Sequence, residues 1–294
     1  MRRRLSGRVA VSLAVGALLA APGAGEPLRV EPLPLADGSV VPGHSSLAGE
    51  LTDREAARRR SELLRSPFAQ VGERRSVLAG EAVAGFHAAV PQEVREAALG
   101  ALERAVRDVL DRDGWARPFS AASPLTVLLV PSRSELGVLV AWDGREKGRL
   151  ARPLVAVGTV GRTPAEVAFD VARGVALLAV RQAGPDEAGW AVEGLAELLA
   201  QEALGLTAPP KAASNPFLAS RGSLGRPGAA ALFLRAAARN GTTGREGLRG
   251  AWEEAGQQRG DDAEAFFRTA AGTAGEGVAG LLSELVAEAV ARAP

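Results

Sequence analysis

Residues 163–181, TPAEVAFDVARGVALLAVR, join a helix start signal to a stretch with almost no polar face. Thr163 and Glu166 have the spacing of a capping box, with Pro164 at the first helical position, so a helix begins there and runs to about Arg181. Val167, Val171, Val175 and Leu178 form one stripe, with Phe169, Ala172 and Ala176 beside it. A helix apolar on nearly every side is a buried helix. The chain has 294 residues, 47% of them apolar, which is ample for the core that such a helix requires.

The segments before it read as strands around a long helix. VLAGEAVAGFHAAVP, from Val77, has the short apolar run and Gly punctuation of a strand. Pro91 to Asp113 place Val94, Ala98, Leu102, Ala105 and Val109 on one face, with Arg95, Glu103, Arg107 and Asp111 opposite. That is the helical period, and Glu103 and Arg107 are spaced for an i,i+4 pair. LTVLLVP from Leu125 and PLVAVGTV from Pro153 are strand-like, separated by a Gly-rich excursion through Trp142 and Asp143. After the Thr163 helix come a second helix, Trp190 to about Leu204, and a Pro- and Ser-containing connection over 207–228. ALFLRAAARN (ended by Asn240-Gly241), LRGAWEEAG, DDAEAFFRTAAG and a segment over 278–291 read as further helices. Strands first and helices after imply an α+β fold: a small amino-terminal sheet with a long helix, then a mostly helical carboxyl-terminal half. No internal repeat is present.

Arg2, Arg3, Arg4 and Arg8 precede an apolar run from Val9 to Ala21 and then APGAG, the pattern of a secretory signal peptide over 1–25, cleaved between Ala21 and Glu26. The run is short for a bilayer span, so no stable membrane span is expected after cleavage, and the destination is periplasmic or extracellular. There is no Cys, which excludes disulfides and a lipid-modified amino-terminal cysteine. Residues 26–75, rich in Pro, Gly and Arg, read as a poorly structured leader with one helical candidate, LTDREAARRRSELL from Leu51. Its Arg58-Arg59-Arg60 run reads as a solvated face. Residues 76–294 form a single domain, with a strand and helix part over 76–182 and a helical part over 183–294. A net charge of +1 gives no electrostatic case for nucleic acid, and scarce aromatics argue against a base-stacking platform.

GWAVEGLAELLA, from Gly189, carries Trp190, Glu193, Gly194, Ala196 and Glu197 in the arrangement W-x-x-E-G-x-A-E. Together with the preceding order of strand, long helix, strand, strand and helix, it resembles the gluzincin clan of zinc metallopeptidases over about 80–252. In that clan one helix carries HExxH, whose two His bind zinc while its Glu polarises the metal-bound water, and a second helix adds a Glu ligand. The resemblance gives Glu193 the second role and sets Phe169-Asp170-Val171-Ala172-Arg173 on the HExxH positions, about twenty residues earlier as is usual in the family. A phenyl ring has no lone pair to offer a metal, and a guanidinium is a permanent cation. The only histidines, His44 and His87, lie in the leader and the first strand. The resemblance therefore implies a degenerate site in which Phe169, Asp170, Arg173, Glu193 and Glu197 are vestigial, with no catalytic residue, metal or cofactor. If the two helices pack as in the clan, Arg173 faces Glu193 and reaches Asp170. A calcium or magnesium cage of Asp170, Glu193 and Glu197 is the competing use of those oxygens.

Other chemistries lack their residues. Without Cys or Tyr, and with no G-x-S-x-G elbow or phosphate-binding glycine motif, nucleophilic and nucleotide chemistry find no support. His87, beside Phe86, reads as a core or edge residue. Three functions stay open: an exported pseudoenzyme that binds or scaffolds, a hydrolase with an atypical or partner-completed metal site, and a structural envelope protein. For the first, an extended peptide or protein is the expected partner. PLVAVGTV, read as the clan's edge strand, is the expected place of capture by strand addition.

Overall fold

The computed structural model describes residues 31–34, 40–44, 51–65, 72–131, 138–184, 189–206 and 244–257. The fold is α+β. A short hairpin, β1 (Glu31–Pro34) and β2 (Val40–His44), precedes helix α1 (Asp53–Arg65). The main sheet then begins with β3 (Glu73–Val77) and β4 (Ala82–Phe86), joined by one tight helical turn. Helix α2 (Gln92–Ala105) continues through a widened turn, Val106–Arg112, and leads to β5 (Leu125–Val130). β6 (Val138–Ala141), the small hairpin β7 (Arg145–Glu146) and β8 (Arg149–Leu150), and β9 (Leu154–Gly158) follow. Helices α3 (Pro164–Ala183), α4 (Gly189–Ala203) and α5 (Gly244–Gln257) complete the described chain. The helices expected over 231–240 and 278–291 and from DDAEAFFRTAAG, and the signal peptide, lie outside the described residues.

The five-stranded sheet runs β3-β4-β5-β9-β6. The inner pairs β4–β5 and β5–β9 are parallel, and the outer strands β3 and β6 are antiparallel to their neighbours. Alternate residues separate the two faces. Val127, Leu129, Val138, Val140, Val155 and Val157 belong to the cluster shared with α2, α3 and α4. Leu128, Val130, Leu139, Ala141, Leu154 and Ala156 form a second cluster with Leu63 of α1. Both faces are covered, which is why these strands read as unbroken apolar runs and not as alternating ones.

Two expectations are corrected here. PLVAVGTV is not an edge: β9 pairs with β5 on one side and β6 on the other, because the excursion after β5 returns as a strand, Val138–Ala141. The capture of a peptide along β9 is thereby removed. Nor is the leader loose over 51–65. Leu51, Ala56 and Leu63 of this segment are buried, and β3 already begins at Glu73, inside the expected leader. Trp142 Nε1 donates to Asp53 Oδ1 at 2.8 Å, and Arg181 donates to the Leu51 carbonyl at 2.8 Å while its guanidinium lies over the Trp142 ring. The Arg run is not one solvated face, since Arg59 is buried and donates to the Val140 carbonyl of β6 at 3.2 Å.

The long α2 face is as expected, with Val94, Ala98, Leu102, Ala105 and Val109 all buried. Arg107 pairs with its neighbour Asp108 at 3.3 Å. Trp252 of α5 is buried and donates to the Val180 carbonyl of α3 at 3.0 Å. No helix among the described residues is long and apolar enough to cross a membrane.

Helix α3 sits close on the sheet because Gly174 faces it. A Cβ at Gly174 would lie 2.5 Å from Val155 Cγ1 and 3.1 Å from Val138 Cγ2, both on the core face of central and edge strands. Gly174→Ala is therefore expected to cost about 1–3 kcal/mol through overpacking, against the usual gain from replacing a helical glycine. Chemical denaturation that finds the variant as stable as the parent contradicts this account of the helix–sheet contact.

Candidate functional site

α3 and α4 pack against each other in the layer above the sheet, and their facing sides carry the residues singled out in the sequence. Arg173 Nη2 lies 2.6 Å from Glu193 Oε2, with both side chains buried. The helical register explains the meeting: Val171, Val175 and Leu178 hold the apolar sides of α3 in the core, and Arg173 projects between them toward α4. Glu197, one turn beyond Glu193, is 2% exposed and accepts from Gln201 Nε2 at 3.3 Å. Phe169 is fully buried in the core.

Asp170 has a different partner from the one expected. Its Oδ2 lies 2.5 Å from Arg162 Nη2, while its own residue is 0% exposed. Arg162, in the loop before α3, also donates to the carbonyls of Gly158 and Glu166, each at 3.1 Å, so it bridges the end of β9 and the first turns of the helix. Arg59 enters from α1. Burial brings its pKa down to about 10, and the Glu193 carboxylate is the chief charge holding it up. Arg162 and Arg59 were not identified from the sequence. The side chain of Trp190 lies outside the described residues, whereas Gly194 and Ala196 are buried.

The result is a buried cluster of three guanidinium groups, Arg59, Arg162 and Arg173, and three carboxylates, Asp170, Glu193 and Glu197. Its charges balance. Burial disfavours the charged form of Arg173, but the carboxylates of Glu193, Glu197 and Asp170 outweigh it and raise the pKa above its ordinary value. For Asp170 burial wins: its pKa is raised in spite of Arg162 and Arg173.

These groups do not fit a zinc ion. Phe169 supplies no lone pair, Arg173 cannot lose its charge, and the Glu193 oxygen that would serve as the third ligand is held by Arg173. A calcium or magnesium cage fits no better, since Asp170 and Glu193 each face a guanidinium at 2.5 and 2.6 Å. Among the described residues no group of three or more His, Cys, Asp or Glu is placed to hold a metal ion. His87 is partly exposed beside β4, and its Nδ1 accepts from the Ala89 amide at 3.2 Å. No family model matches the chain, and no curated protein or solved structure is significantly similar to it.

Two outcomes follow from this geometry. Arg173→Ala or Glu193→Ala alone leaves a buried charge uncompensated and is expected to cost about 3–5 kcal/mol, while the double variant costs much less than the sum. A double-mutant cycle by denaturation that finds no coupling refutes the pair's role. Asp170 gives a pH signature. A carboxyl with a raised folded-state pKa binds its proton more tightly folded than unfolded, so its contribution to stability is full below the ordinary value of about 4 and is lost as pH rises through the folded pKa. Relative to the parent, Asp170→Asn should therefore gain stability as pH rises from about 4, measured by denaturation across that range. A difference that shrinks with pH contradicts it.

Proposed function

We propose that this protein is an exported pseudoenzyme: a metallopeptidase-like scaffold, related to the gluzincins, that has exchanged its metal site for an ion pair and serves as a non-catalytic binding or scaffolding protein. The observation that carries the reading is the 2.6 Å contact between Arg173 and Glu193. In the HExxH register Arg173 stands where a metal-binding His is expected, and Glu193 stands where the third ligand is expected, on a second helix packed against the first. The chain order of strand, helix, strands and two packed helices agrees with the resemblance. Export rests on the amino-terminal charge and apolar pattern.

A scaffold that keeps its geometry but not its donors should regain the metal when the donors return. The triple substitution Phe169→His, Asp170→Glu, Arg173→His is expected to bind about one zinc per chain after dialysis, and Glu193→Ala in that background to abolish it. The unmodified protein should retain no stoichiometric zinc. Metal analysis of dialysed protein decides: tightly held zinc in the unmodified chain overturns the proposal, and so does a triple variant that keeps its helical circular dichroism yet takes up none.

A further inference from the structure

Helix α1 is held differently from α3. Of its thirteen residues only Ala56, Arg59 and Leu63 are buried, a stripe one side chain wide. It straddles the free side of β6, the last strand of the sheet, and packs on β6 and β2. Leu51 and Ala56 join the core cluster on the helix-layer face, while Leu63 joins the cluster on the opposite face. Among the described residues, α1 meets the β6 backbone through a side-chain hydrogen bond, from Arg59 to the Val140 carbonyl, and not through a ladder. Other ties among the described residues are polar: Arg60 to the Arg152 carbonyl at 2.8 Å, Asp53 to Trp142 at 2.8 Å and to Arg145 at 3.5 Å, and a buried hydrogen bond from Arg181 to the Leu51 carbonyl at 2.8 Å. By contrast every residue of α3 from Val167 to Arg181 is buried.

β6 itself is an edge that needs a cover. Val138, Leu139, Val140 and Ala141 are all buried, without the charge, proline or bulge that blunts an exposed edge, and such a strand left open is a template for pairing. Elements with narrow apolar contact and polar anchoring belong to the low-stability end of a fold and open without global unfolding. We infer that α1 is a releasable strap, a self-docked segment that closes the β6 edge and lifts off as a unit to open that edge, with Arg59 as its latch. This inference does not depend on the ancestry of the Arg173–Glu193 pair.

The test uses hydrogen exchange of the full chain and its Arg59→Glu variant, which sets a carboxylate beside Glu193. In the unmodified chain, amides of 53–65 should exchange at least about tenfold faster than those of 167–181, because they open in a separate, cheaper event. In Arg59→Glu, protection should fall further over 53–65 and 138–141 together, and by more than over 167–181. A second probe exploits the absence of cysteine: Leu63→Cys should react with a thiol reagent at least about tenfold faster than Val171→Cys. Equal protection of α1 and α3 in the unmodified chain, or equal labelling of the two cysteines, overturns the inference. So does loss of α1 protection in Arg59→Glu with 138–141 unaffected.

Discussion

The contact on which the upper layer depends is the buried pair between Arg173 and Glu193. Two charges taken out of water lose several kcal/mol of hydration each, and only a short, well-placed contact offsets that. At 2.6 Å the contact is short, but it works only while α3 and α4 keep their register, because a slip of one residue would turn one partner into the apolar core. The pair therefore fixes orientation more than it adds stability. Arg59 and Glu197 extend the same field, so the position of α1 is tied electrostatically to α4.

Much of this was legible in the sequence where periodicity was strong. The capping box at Thr163 and Glu166 is present in the structure, with both reciprocal hydrogen bonds formed, and the α2 face falls as its 3.6-residue period requires. The meeting of Arg173 and Glu193 was readable because residues on facing helices are placed by register. Arg162 was not, for it reaches Asp170 from a loop, where no period applies. Arg59 carried a signal that the Arg run concealed: it stands three residues after Ala56 and four before Leu63, on the one stripe of α1 that faces inward. Charge was weighted above register, and register prevailed.

The misplacement of the sheet edge has a topological cause. A strand's place in a sheet is set by non-local pairing, to which its own residues give little clue when both faces are buried. VLVA over 138–141 is too short and too uniformly apolar to stand out in the sequence, yet its antiparallel pairing with β9 displaces β9 from the edge.

The two edges of the sheet are managed by opposite means. β3 carries Glu73, Arg74 and Arg75, and Glu73 pairs with Arg75 at 2.6 Å and with Arg95 of α2 at 2.8 Å. Those two guanidinium groups also lie within 6 Å of the Phe86 ring, at 5.8 and 5.7 Å. An approaching strand would have to desolvate or displace this charge, which makes β3 unreceptive without any cover. β6 has no such protection in its own side chains and, among the described residues, is covered by a helix from outside the sheet. As the described chain stands, neither edge is open to pairing: charge opposes it at β3 and α1 covers β6.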